Sequence, residues 1–577
     1  MPAAERDGRA VRVRWGIAVG ALLAGALALR VWGVKHGLPY AYNADENAHF
    51  VPKAIQLFGH GWNPHYFVNP PAFTYLLHLV FAVWYGGREG VSSTFATHQG
   101  DVFVIARVTS AVVGTLAVWV LYLAGAKLFD RRVGLLAAAL LAVAFLPVFY
   151  SHLALNDVPT LAPIGLSLWG TAGILRSGRR RHYALAGLGL GLACATKYTG
   201  GIVLVPLVAA GAVQFLSARA ARRPALIGLA LAGALALVAF FVANPYAFID
   251  HGEFHQGLVH QSSAADDALG KLGLTQSSGT AYYLWTFTWG LGWVPIVAAA
   301  VAIVVLALRD PAALVVLVPG PLAFLIFMGS QSRFFGRWLM PVFPLVCILA
   351  AYLVVRAVDA VAARRPGLRP ALLAVGALVL CGQGLVYSLH AGLVLSRPDT
   401  RNLARDWMVA NVPPHSRIVV EPVVPDAWAQ DLGRPSPLTA NGNRWSKFPT
   451  SRTNVAKDGS IFLGAGAIVN IEDYERELQP GLIDLYERKG YCYVVSGSTQ
   501  RGRAEAQPKL VPRAVAYYAE LERRADKVAE FSPYRSGHGP VAFNFDWSFD
   551  FYPLAYERPG PVMTIYRLRG GTCAGVS

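Results

Sequence analysis

Charge is scarce in this sequence. Asp, Glu, Lys and Arg make up 15% of its 577 residues, and 54% are hydrophobic, whereas a soluble globular domain carries about 25% charge. An apolar excess spread over several hundred residues excludes an ordinary soluble enzyme, a disordered chain and a collagen-like repeat. Cysteine is scarcer, at five residues, and no CxxC pair occurs, so the sequence offers no zinc-finger or thioredoxin-like framework. Cys194, Cys347 and Cys381 fall in apolar runs and read as small core residues. Cys492 and Cys573 lie in the more polar C-terminal part, where a disulfide is open to them but not required by their spacing. No Walker loop and no GxGxxG after a strand is found. Acidic residues are outnumbered 34 to 51, leaving a net charge of +17. That would ordinarily raise nucleic acid as a partner. Its position says otherwise: residues 1–390 carry +14 and residues 391–577 only +3. The basic excess belongs to the apolar part, and the expected partner is a lipid bilayer, with no nucleic acid.

Apolar runs near the length that crosses ~30 Å of hydrocarbon predict eleven transmembrane helices. They cover about 15–34, 102–129, 133–150, 158–175, 183–196, 199–217, 224–243, 285–308, 311–329, 338–355 and 370–390. The stretch Pro70 to Tyr85 is shorter and opens on a proline pair. With the N-terminus in the cytoplasm and 70–85 lying in the interface, 19 of the 28 Lys and Arg before residue 390 face the cytoplasm, as the positive-inside rule requires. The first external loop is then 35–101, with an interfacial helix at about 70–85. The expected class is a polytopic α-helical membrane protein of the cell (plasma or inner) membrane. Residues 1–390 form the membrane domain and 391–577 a soluble extracytoplasmic α/β domain. In the latter, a helix is expected at 400–412, strands at 417–421, 491–495 and 562–568, and an amphipathic helix at 514–530.

The chemistry-bearing residues gather on the predicted outer side. Asp45 and Glu46 are adjacent, and neighbouring carboxylates raise one another's pKa, which suits a general base; taken alone, Asp45 is more simply the cap of the helix that follows, and both roles can hold together. Asp157 lies in a very short loop, where cap and function weigh evenly. Lys197 splits two apolar runs in a Lys-Tyr-Thr-Gly-Gly turn and needs an anion or water, although snorkelling would also house it. Arg333 and Arg337, four apart, would share one helical face and make a phosphate fork; the alternative is a pair of interfacial anchors beside Trp338. The spacing of His251, Glu253 and His255 is only a weak metal signal.

Together Ala44-Asp-Glu-Asn-Ala, Asn69-Pro-Pro, His152 to Pro159, Ala195-Thr-Lys-Tyr-Thr-Gly and Arg333 to Pro344 resemble the GT-C membrane glycosyltransferases. The likeness is to the branch holding protein O-mannosyltransferases and bacterial lipid A aminoarabinose transferases. The resemblance implies inverting transfer of a sugar from a polyprenyl-phosphate donor to a hydroxyl or amine of a lipid, polysaccharide or protein acceptor at the outer face. By the same resemblance Asp45 would be the base, and Glu46 and Asp157 would shape the acceptor pocket or the base's pKa. Lys197, Arg333 and Arg337 would hold the donor phosphate, and His49, His65, Asn69, His152 and Tyr198 would line the substrate pocket. Asn69 departs from the family, which often has His or Lys before this proline, so one phosphate contact would have to come from His65 or Lys197. No cofactor is required by the resemblance, and a divalent metal stays open because relatives differ. Competing readings are a glycolipid transporter or flippase, whose sites usually sit at the bilayer midplane, and a membrane protein that binds a cell-envelope polymer.

Overall fold

A computed structural model describes residues 3–59, 61–266, 272–273, 278–432, 442–451, 453–455, 461–463, 466, 468–471 and 474–573. Among these, eight helices are long and apolar enough to cross a membrane: Val13–Val31, Arg88–Leu128, Tyr198–Ser217, Arg219–Ala243, Gly279–Arg309, Pro311–Gly329, Gly336–Ala362 and Pro366–Asn411. The other three expected spans are shorter helices, Arg131–Val143 continued by Phe145–Tyr150, Leu161–Ser177 and Arg180–Thr196. A 17-residue helix rises only about 26 Å. Leu161–Ser177 is buried on most sides, packed between Arg88–Leu128 and Arg180–Thr196, as a helix that is apolar all round should be. The chain is a multi-pass membrane protein. The helix expected from 102 starts earlier, at Arg88, and breaks at His98 (φ −135°, ψ 54°). Ala72–Tyr85 is a 14-residue helix, about 21 Å long. It buries Phe73, Leu77 and Phe81 and exposes Leu79, Val83 and Trp84.

The C-terminal part holds a five-stranded sheet in the order Ala525–Phe531, Met563–Leu568, Tyr493–Gly497, Arg417–Val420, Ser446–Lys447. Its first two pairings are antiparallel and the other two parallel. Apolar clusters cover the sheet, one around Tyr486 and Tyr517, another around Trp428 and Trp445. Cys492 and Cys573 form a disulfide. The helix expected over 514–530 ends at Arg524, because the alternating Ala525–Phe531 segment pairs as an edge strand instead.

Contacts in two regions fasten this domain to the membrane helices. Tyr40 is buried in the Trp428 cluster, and Arg401 lies 3.6 Å over the Tyr42 ring while Tyr42 donates to Asn402. Between the last two strands, residues 545–552 return to the membrane body. There Phe551 packs on Phe145, Trp289 and Tyr387, and Tyr282 and Tyr150 donate hydrogen bonds to Asp546 and Asp550.

A buried ion pair ties the loops together. Arg107, 1% exposed, donates to both oxygens of Glu46 (2.7 and 2.8 Å) and to the carbonyls of Val34 and His36 (both 2.8 Å). The Glu46 Oε1 also accepts from Ala154 N–H at 2.9 Å. Replacing Arg107 by Met strands a buried carboxylate and should destabilise the protein by about 3–5 kcal/mol. Unfolding of the detergent-purified protein measures this, and Arg107→Met combined with Glu46→Gln should recover most of the loss.

A second expectation concerns pH. Burial pushes the Glu421 carboxyl up to about 7, despite hydrogen bonds from Gly497 N–H, Tyr518 and Ser496. Burial likewise pushes Asp546 up to about 7 and Asp550 up to about 8. A folded state that holds these protons more tightly than the unfolded chain is most stable at acid pH. It loses stability as pH rises from about 4 to about 8, of order 3 kcal/mol for Glu421. The melting temperature should therefore fall between pH 5 and pH 8, and Glu421→Gln should make that fall shallower.

Candidate functional site

Four charged side chains from four separate stretches meet. Asp45 Oδ2 accepts from Arg337 Nη2 at 2.7 Å, Arg337 Nε lies 3.8 Å from Asp157 Oδ2, and Lys197 donates to the other Asp157 oxygen. The cluster holds two negative and two positive charges.

Each member is positioned by local structure. Asp45 follows the Tyr40 and Tyr42 clamp and precedes the Glu46 anchor. The helix cap is Asn43, whose Oδ1 accepts from the N–H groups of Asp45 and Glu46 at 3.0 and 3.1 Å. Asp45 itself has helical φ and ψ and makes no side-chain cap bond, so its carboxylate is left to face Arg337. Asn43, and not Asp45 as the sequence suggested, caps this helix. Asp157 sits in the 151–160 loop, which lies tight on the helix Arg88–Leu128. A β-carbon at Gly114 would come within 2.7 Å of Val158 and 3.0 Å of Ser151. The helix begins only at Leu161, beyond the expected start at Val158.

Lys197 is the extended break (φ −154°, ψ 128°) between the helix ending at Thr196 and the 3-10 turn from Tyr198. Gly200 makes the turn feasible, since a β-carbon there would meet Ala193 O at 2.8 Å and Thr160 Cγ2 at 2.9 Å. Asn156 links two of these stretches and ties them to the Asn69 turn: its amide donates to Thr196 O at 2.8 Å and reaches Asn69 Oδ1 at 3.4 Å. Arg337 opens the 3-10 turn Gly336–Val342, its guanidinium 4.9 Å from the Phe335 ring centre and 5.9 Å from that of Tyr150.

The expected helical fork of Arg333 and Arg337 is not formed. Residues 331–335 are non-helical and Phe335 is extended (φ −135°, ψ 144°). Both guanidiniums instead lie over the same Phe335 ring, Arg333 at 5.3 Å, which cation–π attraction favours. Glu46 is held apart from the open cluster by Arg107. His152, fully buried, faces Val148 O and Trp32 O, and Tyr198 donates to Phe67 O at 2.8 Å; both brace loops. His49 stacks on Tyr66 at 4.6 Å, and Asn69 donates to the Tyr66 hydroxyl.

His65 turns away from the cluster to Glu253 (2.9 Å). With Asp250 these residues bring three ligand atoms within 4.8 Å of one another, a group that could hold a divalent cation. His251 and His255 lie outside it. The carboxylates differ in access: the Asp45 side chain is 37% exposed and that of Asp157 4%. A solvent-reachable carboxylate beside fixed cations can take a proton from an incoming nucleophile while the cations hold an anion.

Four contributors escaped the sequence reading: Arg107, Asn156, Tyr150 and Asp550. Only Arg107 carried a signal, as a lone cation inside an apolar span, where charge is rare.

Residues 68–244 match the family described as dolichyl-phosphate-mannose-protein mannosyltransferase. No curated protein matches the chain. Among solved structures, the Archaeoglobus fulgidus oligosaccharyltransferase tethered to an acceptor peptide has TM-score 0.51 and 13% identity, covering 92% of this chain and 74% of its own. Its apo form has TM-score 0.50 and 14% identity, with 92% and 75% covered. ArnT from Cupriavidus metallidurans bound to undecaprenyl phosphate has TM-score 0.49 and 15% identity, with 97% and 99% covered. The matched segment contains Asn69, Asp157 and Lys197, and the likeness in fold to the Archaeoglobus fulgidus oligosaccharyltransferase extends over nearly the whole chain.

Proposed function

We propose that this protein is a glycosyltransferase that moves a sugar from a polyprenyl-phosphate donor to a hydroxyl or amine of its acceptor at the outer face of the cell membrane, inverting the anomeric carbon. The carrying observation is the Asp45, Arg337, Asp157, Lys197 cluster, in which the one open carboxylate touches a fixed cation. Asp45 accepts the proton of the acceptor hydroxyl as its oxygen attacks the anomeric carbon. The bond from that carbon to the phosphate oxygen breaks, and its electron pair leaves with the phosphate. Lys197 and Arg337, with Arg333 beside Phe335, stabilise the charge gained by the departing phosphate. Asp157 orients both cations, and Glu46 fixes the base through its neighbouring backbone. The donor class is supported by the family match, whose description names a polyprenyl-phosphate sugar.

With the purified protein and a panel of polyprenyl-phosphate sugars, Asp45→Asn should lower kcat by roughly 10²–10⁴-fold with donor binding retained. Lys197→Ala should chiefly weaken donor binding. Transfer that Asp45→Asn leaves unchanged would remove Asp45 as the base, and no transfer from any donor would favour the flippase reading.

A further inference from the structure

A cavity of about 600 Å³ lies in the C-terminal domain, between the strands Ala525–Phe531 and Met563–Leu568, the helix Ser498–Ala506 and the returning segment 534–562. That volume is within the about 300–1,000 Å³ of small-molecule sites. Aromatic rings supply much of its wall: Tyr534 and Tyr556 stand edge to face at 4.8 Å, Tyr552 tilts on Tyr556 at 5.8 Å, and Phe543, Trp547 and Tyr566 complete the set. The charged lining cancels. Arg501 is paired with Glu505 and Glu522 at 2.7 and 2.6 Å, Lys527 with Glu530 at 3.1 Å, and Arg401 is held by Asp399.

A wall with mutually neutralised charges offers no net attraction to a phosphate or an anionic polymer. It does present ring faces alongside many fixed donors and acceptors. Sugars match that combination, because each ring has apolar C–H faces and a rim of hydroxyls.

The cavity also shares walls with the supports of the transfer site. Arg401 lies over Tyr42, three residues before Asp45. Tyr552 stands 5.8 Å from Phe149, whose neighbour Tyr150 lies beneath Arg337. We propose that this cavity binds a neutral saccharide unit of the acceptor, set back from the hydroxyl that reacts. The proposal rests on the transferase reading and gives its acceptor a chemical class, a neutral glycan.

The test uses the full-length protein in detergent and saturation-transfer NMR titrations. The probes are mannobiose, galactobiose and arabinobiose, with a glucuronic-acid disaccharide and inorganic phosphate as anionic counter-probes. Saturable binding of at least one neutral disaccharide is expected, weakened at least about tenfold, or 1.4 kcal/mol, by Trp547→Ala and by Tyr534→Ala. In transfer assays the same variants should raise the acceptor KM and spare kcat. If Trp547→Ala fails to fold by its melting curve, the half-buried Tyr534→Ala decides. Absence of saturable binding by every neutral probe would overturn the proposal, as would tighter binding of an anionic probe or binding unmoved by the folded variants. Asp45→Asn should bind the disaccharide as wild type does. No saccharide binding by the wild type with Asp45-dependent transfer intact therefore refutes the cavity alone, and transfer indifferent to Asp45→Asn refutes the mechanism alone.

Discussion

The buried contact between Arg107 and Glu46 organises everything around it. Desolvating both charges is expensive, and such a pair is tolerated only where the remaining donors and lone pairs are also satisfied. Here four of the five guanidinium N–H groups have partners, two of them backbone carbonyls, and the Ala154 N–H adds to the carboxylate. The contact thus joins the exit of the first helix, the loop bearing Asp45 and the loop bearing Asp157. Neither loop can shift without uncovering charge in an apolar interior. The distance between the two carboxylates of the cluster is set by a third carboxylate that never meets solvent.

The cluster's neutrality has its own logic. With two carboxylates and two cations in contact, each cation is compensated before any substrate arrives. A phosphate entering between Lys197 and Arg337 competes with Asp45 and Asp157 for the same N–H groups. In the proposed reaction, donor binding loosens Asp45 from Arg337 and leaves its carboxylate free to meet the acceptor.

Much of this architecture is legible in the sequence, for identifiable reasons. Membrane helices follow from composition and run length, and Asp45, Asp157, Lys197 and Arg337 stood out because charge is rare beside apolar runs. Roles were harder. Asp45 looked like a cap until Asn43, two residues earlier, proved to hold both N–H groups. Glu46 looked like its partner in chemistry, yet its real partner is 61 residues away inside a span, and no local pattern reveals such pairing. The Arg333 to Arg337 spacing suggested a helix, but packing of both guanidiniums on Phe335 goes with an extended backbone, a tertiary preference overriding a periodic one. In the same way the polar stretch after Arg524 continued a helical pattern on paper, while its alternation fits the free edge of a sheet.

The strand order has a consequence for how the molecule is put together. Met563–Leu568 lies between Ala525–Phe531 and Tyr493–Gly497, and the segment just before it is anchored on Tyr150 and Tyr282 of the membrane body. The sheet cannot close until synthesis has passed residue 568, and by then the preceding aromatic segment needs assembled helices to receive it. Folding of the C-terminal domain is in this sense a checkpoint on insertion: a misassembled helix bundle would leave Phe551, Tyr552 and an unpaired strand edge exposed, the kind of surface that quality-control proteases and chaperones engage.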